Sequence, residues 1–138
     1  VLTQDAAFST GKYRFRFLPT PHVPHGWDAG VLLEETRRTL FCSDLFHQWG
    51  DREPLATGGI IERSRDALLE GEAGPFANYV PYTHHTGNVL EGLAAWNPQL
   101  LATMHGSGYS GDCARALRDL ATVMAEVLGP KAEERLRV

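Results

Sequence analysis

The stretch Thr20–Gly30, TPHVPHGWDAG, sets two histidines and an aspartate in a turn stiffened by two prolines. A proline fixes its own backbone and bars a helix, so this segment reads as a rigid, irregular turn. It could hold a metal through one histidine, or be a surface turn with two solvated imidazoles. Two other stretches bear on the choice. Asp44 closes an apolar run in LFCSDLF, and His105 precedes a glycine in TMHGSGYSGD. His22, Asp44 and His105 all stand at strand-to-loop junctions, where a scaffold presents binding groups. Two imidazoles and a carboxylate are a legitimate ligand set for zinc, iron or manganese. The intervals between them, 22 and 61 residues, are too long for a local loop site. They meet only where neighbouring strands end at the same edge of a sheet.

Elements to position these groups are present. KYRFRFL (12–18) alternates Tyr13, Phe15 and Phe17 with Lys12, Arg14 and Arg16, the pattern of a half-buried strand. AGVLLEE (29–35) and RTLFCSDLF (38–46) form a hairpin across a short polar break. Residues 47–59 read as a long surface loop, 60–71 as a short helix stopping at Gly71, and 75–85 as irregular. Val89, Leu90, Leu93 and Ala94 share a helical face, and QLLATMH (99–105) is a buried strand. Cys113, Leu117, Leu120, Met124 and Val127 recur at spacings of four, three, four and three, with Asp112 as N-cap and Gly129-Pro130 as stop. The tail KAEERLRV reads as a polar helical extension. The order implies an α/β layered domain, or half of one.

Composition narrows the class. The chain has 138 residues, 43% apolar and 22% charged, with a formal net charge of -4. That suits one globular domain, and scattered cations with no basic stripe exclude a nucleic-acid or anionic-membrane partner. No long apolar run or signal peptide is visible. Two cysteines make neither a disulfide framework nor a metal knuckle, so a cytoplasmic location is expected. Cys42 reads as a buried structural thiol.

The three motifs, in order, resemble the second half of a metallo-β-lactamase-fold domain, closest in flavour to the diiron flavoprotein branch. The resemblance covers nearly the whole chain. It implies the C-terminal half of an αββα layered sandwich spanning residues 1–138. It also implies a site for two divalent metal ions, zinc or iron. By this resemblance His22, after Pro21, is a metal ligand, Asp44 the carboxylate shared by both ions, and His105 a ligand of the second. His25 becomes a group beside the metal or on the substrate side, with Asp44 in the catalytic role. Asp28, Trp27 and Tyr109 are candidates to orient a ligand or touch substrate; Asp28 is equally a turn-former, and Trp27 and Trp49 could wall a substrate pocket, though large aromatics near a sheet edge are more often packing residues. His84-His85 reads as helix entry and His47 as a loop residue. The family's His-x-His-x-Asp-His loop is absent.

Three functions follow. The first is a hydrolase using metal-activated water on a small-molecule substrate, inactive as this piece alone. The second is a diiron oxidoreductase-like domain reducing O2 or NO. The third is a non-catalytic interaction domain. The expected partner is the missing N-terminal half or a second copy, because an uncovered apolar sheet face favours self-association.

Overall fold

A computed structural model describes residues 6–130; the basic tail around Lys131, Arg135 and Arg137 lies outside them. The described residues form one mixed seven-stranded sheet in the order β1-β2-β3-β4-β6-β7-β5. Its strands are β1 (Ala7–Thr10), β2 (Tyr13–Pro19), β3 (Gly30–Glu34), β4 (Thr39–Phe41), β5 (Leu55–Ala56), β6 (Leu100–Ala102) and β7 (Gly108–Tyr109). The helices are α1 (Ile60–Glu72), α2 (Thr86–Ala95) and α3 (Cys113–Leu128). β1 to β4 form an antiparallel meander, while β4 pairs with β6 in parallel. β7 runs antiparallel to β6 and parallel to β5. No helix among the described residues is long and apolar enough to cross a membrane.

Strand register decides which side chains share a face. Leu18 lies opposite Val31, Leu33 opposite Leu40, and Leu40 beside Leu101, so these five project from one side. All are buried, and they form one core with Leu90 and Leu93 of α2 and Leu117, Leu120 and Met124 of α3. Asp112 caps α3 as its sequence suggests, accepting a hydrogen bond from the Arg115 amide at 2.9 Å. Cys42 is fully buried, and burial drives its thiol pKa up, in keeping with a structural role. His84 and His85 are exposed at the entry to α2.

The opposite face departs from the alternation read in β2. Phe8 faces Phe15, Phe17 faces Leu32, and Leu32 faces Phe41, so these apolar side chains project together on the second side. Phe8 stacks on Phe15 and Phe15 tilts against Phe41, yet Phe41 stays 43% exposed. None of the five belongs to the buried core cluster. It is Leu18, on the arginine side of β2, that enters the core, because the helices pack there. The three short or peripheral strands β1, β5 and β7 were not visible in the alternation pattern. β5 lies inside the segment read as a surface loop.

The arginine side of β2 also carries an ion-pair fork. Arg14 and Arg16 each donate to one oxygen of Glu35 at 2.6 Å. The Arg16 hydrogen bond holds the Glu35 carboxyl below its ordinary 4.5; burial pushes the other way, and the Arg14 hydrogen bond and the charges of both guanidiniums help to outweigh it. A depressed carboxyl stabilises the fold above its unfolded pKa, and that contribution vanishes as pH falls through the depressed value. Glu35→Gln is therefore expected to flatten the acid limb of a stability–pH curve below about pH 4.5. Because the pair is partly solvated, the change is under about 1 kcal/mol. Urea midpoints at pH 3 and pH 7 would measure it.

Candidate metal-binding site

The sheet brings three loops to one edge. β4 and β6 are parallel neighbours, so the segments leaving them, 42–48 and 103–107, emerge side by side. β3 is antiparallel to β4, which sets the β2–β3 connection, residues 20–29, at the same edge. Ligand sites in open α/β sheets commonly form in this place, outside the carboxyl ends of parallel strands. The ladder extends beyond the strands: the Cys42 amide donates to the Ala102 carbonyl at 2.8 Å, Met104 to Ser43 at 3.2 Å and Gln48 to His105 at 3.0 Å.

Asp44 stands at the centre. His25 Nε2 lies 3.1 Å from its Oδ2, and His105 Nε2 lies 3.3 Å from its Oδ1. Each carboxylate oxygen thus faces one imidazole. Oδ1 is buried and lacks a hydrogen-bond partner of good geometry. His47 joins the group, its ring 4.9 Å from that of His105, and its Nε2 is likewise buried without a partner. Burial, and then the neighbouring His105, hold the His47 pKa below its ordinary 6.5, with Asp44 pulling the other way. Trp27 stacks on His25 at 4.4 Å, and Trp49 meets His47 edge-on at 4.2 Å.

The expectation for His22 is corrected. His22 is exposed with φ 61°, and its backbone amide donates to the Trp27 carbonyl at 3.0 Å. The turn is organised by burying Val23, fully inaccessible, beneath the Thr20 hydroxyl, which donates to the Val23 carbonyl at 2.6 Å. With Val23 buried, His25 lies against the carboxylate. His25, not His22, is the imidazole of this turn that meets Asp44. Asp28 is exposed and does not line the site. Tyr109 lies in β7 and lines a separate, smaller depression beside Asp112 and Arg115, so it is not placed to touch a ligand at Asp44.

Gln48 is a further residue of the site, one that the sequence does not mark. It is buried, its Nε2 donates to the carbonyls of Phe46 (3.2 Å) and Ser107 (3.1 Å), and its Oε1 accepts from the Ser107 amide (3.3 Å). It therefore clamps the Asp44 loop to the His105 loop. Its presence also explains the glycine after His105: Gly106 has φ 104°, and a Cβ there would lie 2.6 Å from Gln48 Cβ. Gln48→Leu strands buried backbone groups on both loops and is expected to cost about 1–3 kcal/mol. Urea denaturation measures the loss, and amide exchange at Ser107 shows whether the two loops part.

A cavity of about 350 Å³ opens beside the cluster, lined at its polar end by His25, Asp44, His47 and His105. The donor types suit a transition metal, and a carboxylate flanked by an imidazole on each oxygen suits a bridge between two ions. Among the described residues, however, no group of three or more His, Cys, Asp or Glu is arranged to hold a single ion. The residues fit a shared carboxylate with one imidazole on each side, and do not complete the shell of either ion.

No protein-family model matches the chain, and no curated protein matches it. Solved structures do. The apo state of the chemotaxis sensor ODP from T. denticola is 20% identical, with a TM-score of 0.62 over 89% of this chain and 52% of that one. The same sensor has been solved as a peroxy diiron species. Rubredoxin oxygen:oxidoreductase from the anaerobe Desulfovibrio gigas is 22% identical, with a TM-score of 0.70 over 88% of this chain and 31% of that one. The flavodiiron protein from Giardia intestinalis is 16% identical, with a TM-score of 0.67 over 91% and 31%. The chain thus spans about half the length of the sensor and under a third of the other two. At these identities the likeness shows the fold alone, an α/β arrangement of a mixed sheet with helices that this chain shares with part of each of those structures.

Proposed function

We propose that this chain is the C-terminal half of an αββα metallo-β-lactamase-like domain whose completed site holds two iron ions and reduces O2 or NO. The observation that carries the reading is Asp44, placed where two parallel strands end, with His25 on one oxygen and His105 on the other. Support comes from the matched structures, which include a sensor in a peroxy diiron species, a flavodiiron protein and a rubredoxin oxygen:oxidoreductase. They favour iron over zinc and the redox alternative over metal-assisted hydrolysis. In this reading Asp44, His25 and His105 would be the residues of this chain that hold the iron, the carboxylate between the two imidazoles. Iron, when bound, supplies one-electron chemistry toward O2. The chain's own residues orient the imidazoles: Trp27 stacks on His25 and Trp49 meets His47 edge-on. Three donors are too few for two ions that each take four or more ligands. The remaining donors come from the missing N-terminal half of the domain, or from a second copy of this chain.

Loading the purified protein with Fe(II) without oxygen, then counting iron per chain and recording Mössbauer spectra, tests the reading. Bound iron that oxidises on admission of O2 supports it. Selective retention of zinc with no response to O2 overturns it in favour of hydrolytic chemistry.

A further inference from the structure

Cations that lie apart in the sequence are gathered by the fold. Lys12 precedes β2, Arg14 and Arg16 lie within it, and Arg37 and Arg38 close the β3–β4 turn. The Glu35 amide donates to the Arg14 carbonyl at 2.7 Å, which brings that turn beside the start of β2. Only two carboxylates stand among these five cations. Glu34 is buried, accepts from the Thr36 and Arg37 amides at 2.6 and 2.9 Å, and feels the Arg37 charge. Glu35 is shared by Arg14 and Arg16. Lys12, Arg37 and Arg38 are exposed, and among the described residues no carboxylate forms an ion pair with any of them. Other arginines differ: Arg63, Arg65, Arg115 and Arg118 each have a carboxylate of their own. This end of the sheet is therefore a local positive surface on a chain of net charge -4.

We propose that this surface docks a short acidic peptide segment of a partner protein, its carboxylates meeting Lys12, Arg37 and Arg38. Charge complementarity carries the choice, and two rings hold the cations ready. Lys12 Nζ and the Arg37 guanidinium lie over Tyr13 at 5.0 and 5.7 Å, and Arg16 lies over Trp96 at 5.3 Å. Arg38 donates to the Trp96 carbonyl at 2.6 Å. Side chains already held in this way lose less freedom when a carboxylate arrives. A single-stranded nucleic acid needs open ring faces for its bases, and here cations lie over the rings. The rest of the sequence carries fifteen carboxylates to eight cations, so a long polyanion running past the patch is repelled. A segment of a few residues stays within about one Debye length, roughly 8 Å at physiological salt, and meets the patch alone. The surface lies at the other end of β4 from Asp44, so this proposal and the iron reading can fail separately.

Octaglutamate is the probe, titrated into isotope-labelled protein and followed by calorimetry and by amide chemical shifts. The expected result is saturable binding at about 10 mM salt, with the largest shifts at Tyr13, Arg37, Arg38 and Trp96. Affinity falls at least about tenfold by 0.1 M salt, as the Debye length shrinks from about 30 Å to about 10 Å. Arg37→Glu removes one attraction between exposed charges and adds one repulsion, weakening binding about fivefold, and adding Lys12→Glu weakens it further. Arg52→Glu makes the same change in net charge at an exposed position on another loop, and leaves the affinity within about twofold. Urea midpoints establish that each variant is folded. A thymidylate octamer and vesicles containing phosphatidylserine bind more weakly than octaglutamate. Absence of saturable octaglutamate binding at low salt overturns the proposal. So does an Arg52→Glu loss equal to that of Arg37→Glu, which would reduce the effect to overall charge. Binding of the thymidylate octamer or the vesicles as tight as that of octaglutamate overturns it in favour of a different polyanion.

Discussion

An Asp44→Asn variant is expected to bind iron at least tenfold more weakly than the unaltered chain while keeping its fold. The substitution preserves shape but removes the charge, and an amide is a poor bridge between cations. Even groups that only orient a metal ligand change affinity by about 10–100-fold when lost, so a carboxylate facing both imidazoles should cost at least that. Asn keeps an oxygen and a nitrogen for the 3.1 Å and 3.3 Å contacts with His25 and His105, so stability should move by less than about 1 kcal/mol. Anaerobic Fe(II) titration and a urea melt on the same sample separate the two effects. Unchanged iron binding would remove Asp44 from the site, whatever the fold retains.

Phe46→Ala should be among the most destabilising single changes in the chain, at about 3–5 kcal/mol. Phe46 heads the largest fully buried side chains, at 1% exposure, and joins the core from the loop that carries Asp44. Ser43 and Phe46 both hold positive φ, 51° and 63°, so Asp44 sits on a loop bent at two left-handed residues. Anchoring of the Phe46 ring is what offsets that backbone cost. Removing the ring leaves a cavity and releases the bend together. Phe46→Leu retains most of the volume and should lose less than half as much. Urea midpoints rank the two variants. Equal losses would mean that ring packing does not hold the loop.

The elements with a strong period were readable from the chain. α3 declares itself through Cys113, Leu117, Leu120 and Met124, with Asp112 and Gly129 as its ends, and the β3–β4 hairpin through its two apolar runs. What escaped was short or lay on strand ends. β5 and β7 have two residues each, too few to show alternation, and owe their pairing to the 3.0 Å bond from the Gly108 amide to the Pro54 carbonyl and to its neighbours. Asp44 and His105 could be found because each ends a recognisable apolar run. The choice between His22 and His25 could not, since it depends on which residue of the turn is buried. Val23, the one aliphatic residue between them, was the available sign: the turn folds around it and carries His25 inward. His47 and Gln48 were hidden for another reason. Nothing local marks DLFHQWG as more than a loop, and both residues acquire meaning only through His105 and Ser107, 58 and 59 positions away.

The sheet face formed by Phe8, Phe15, Phe17, Leu32 and Phe41 has a thermodynamic consequence. Whatever binds the folded form there, and not the unfolded chain, adds RT ln(1 + [L]/Kd) to its apparent stability. The melting temperature of this protein is then a function of what shares its solution, including its own concentration if copies meet on that face. Dilution, mild detergent or a complementary sheet would each give a different value from the same 138 residues. Comparisons among variants hold only at one protein concentration and in one buffer.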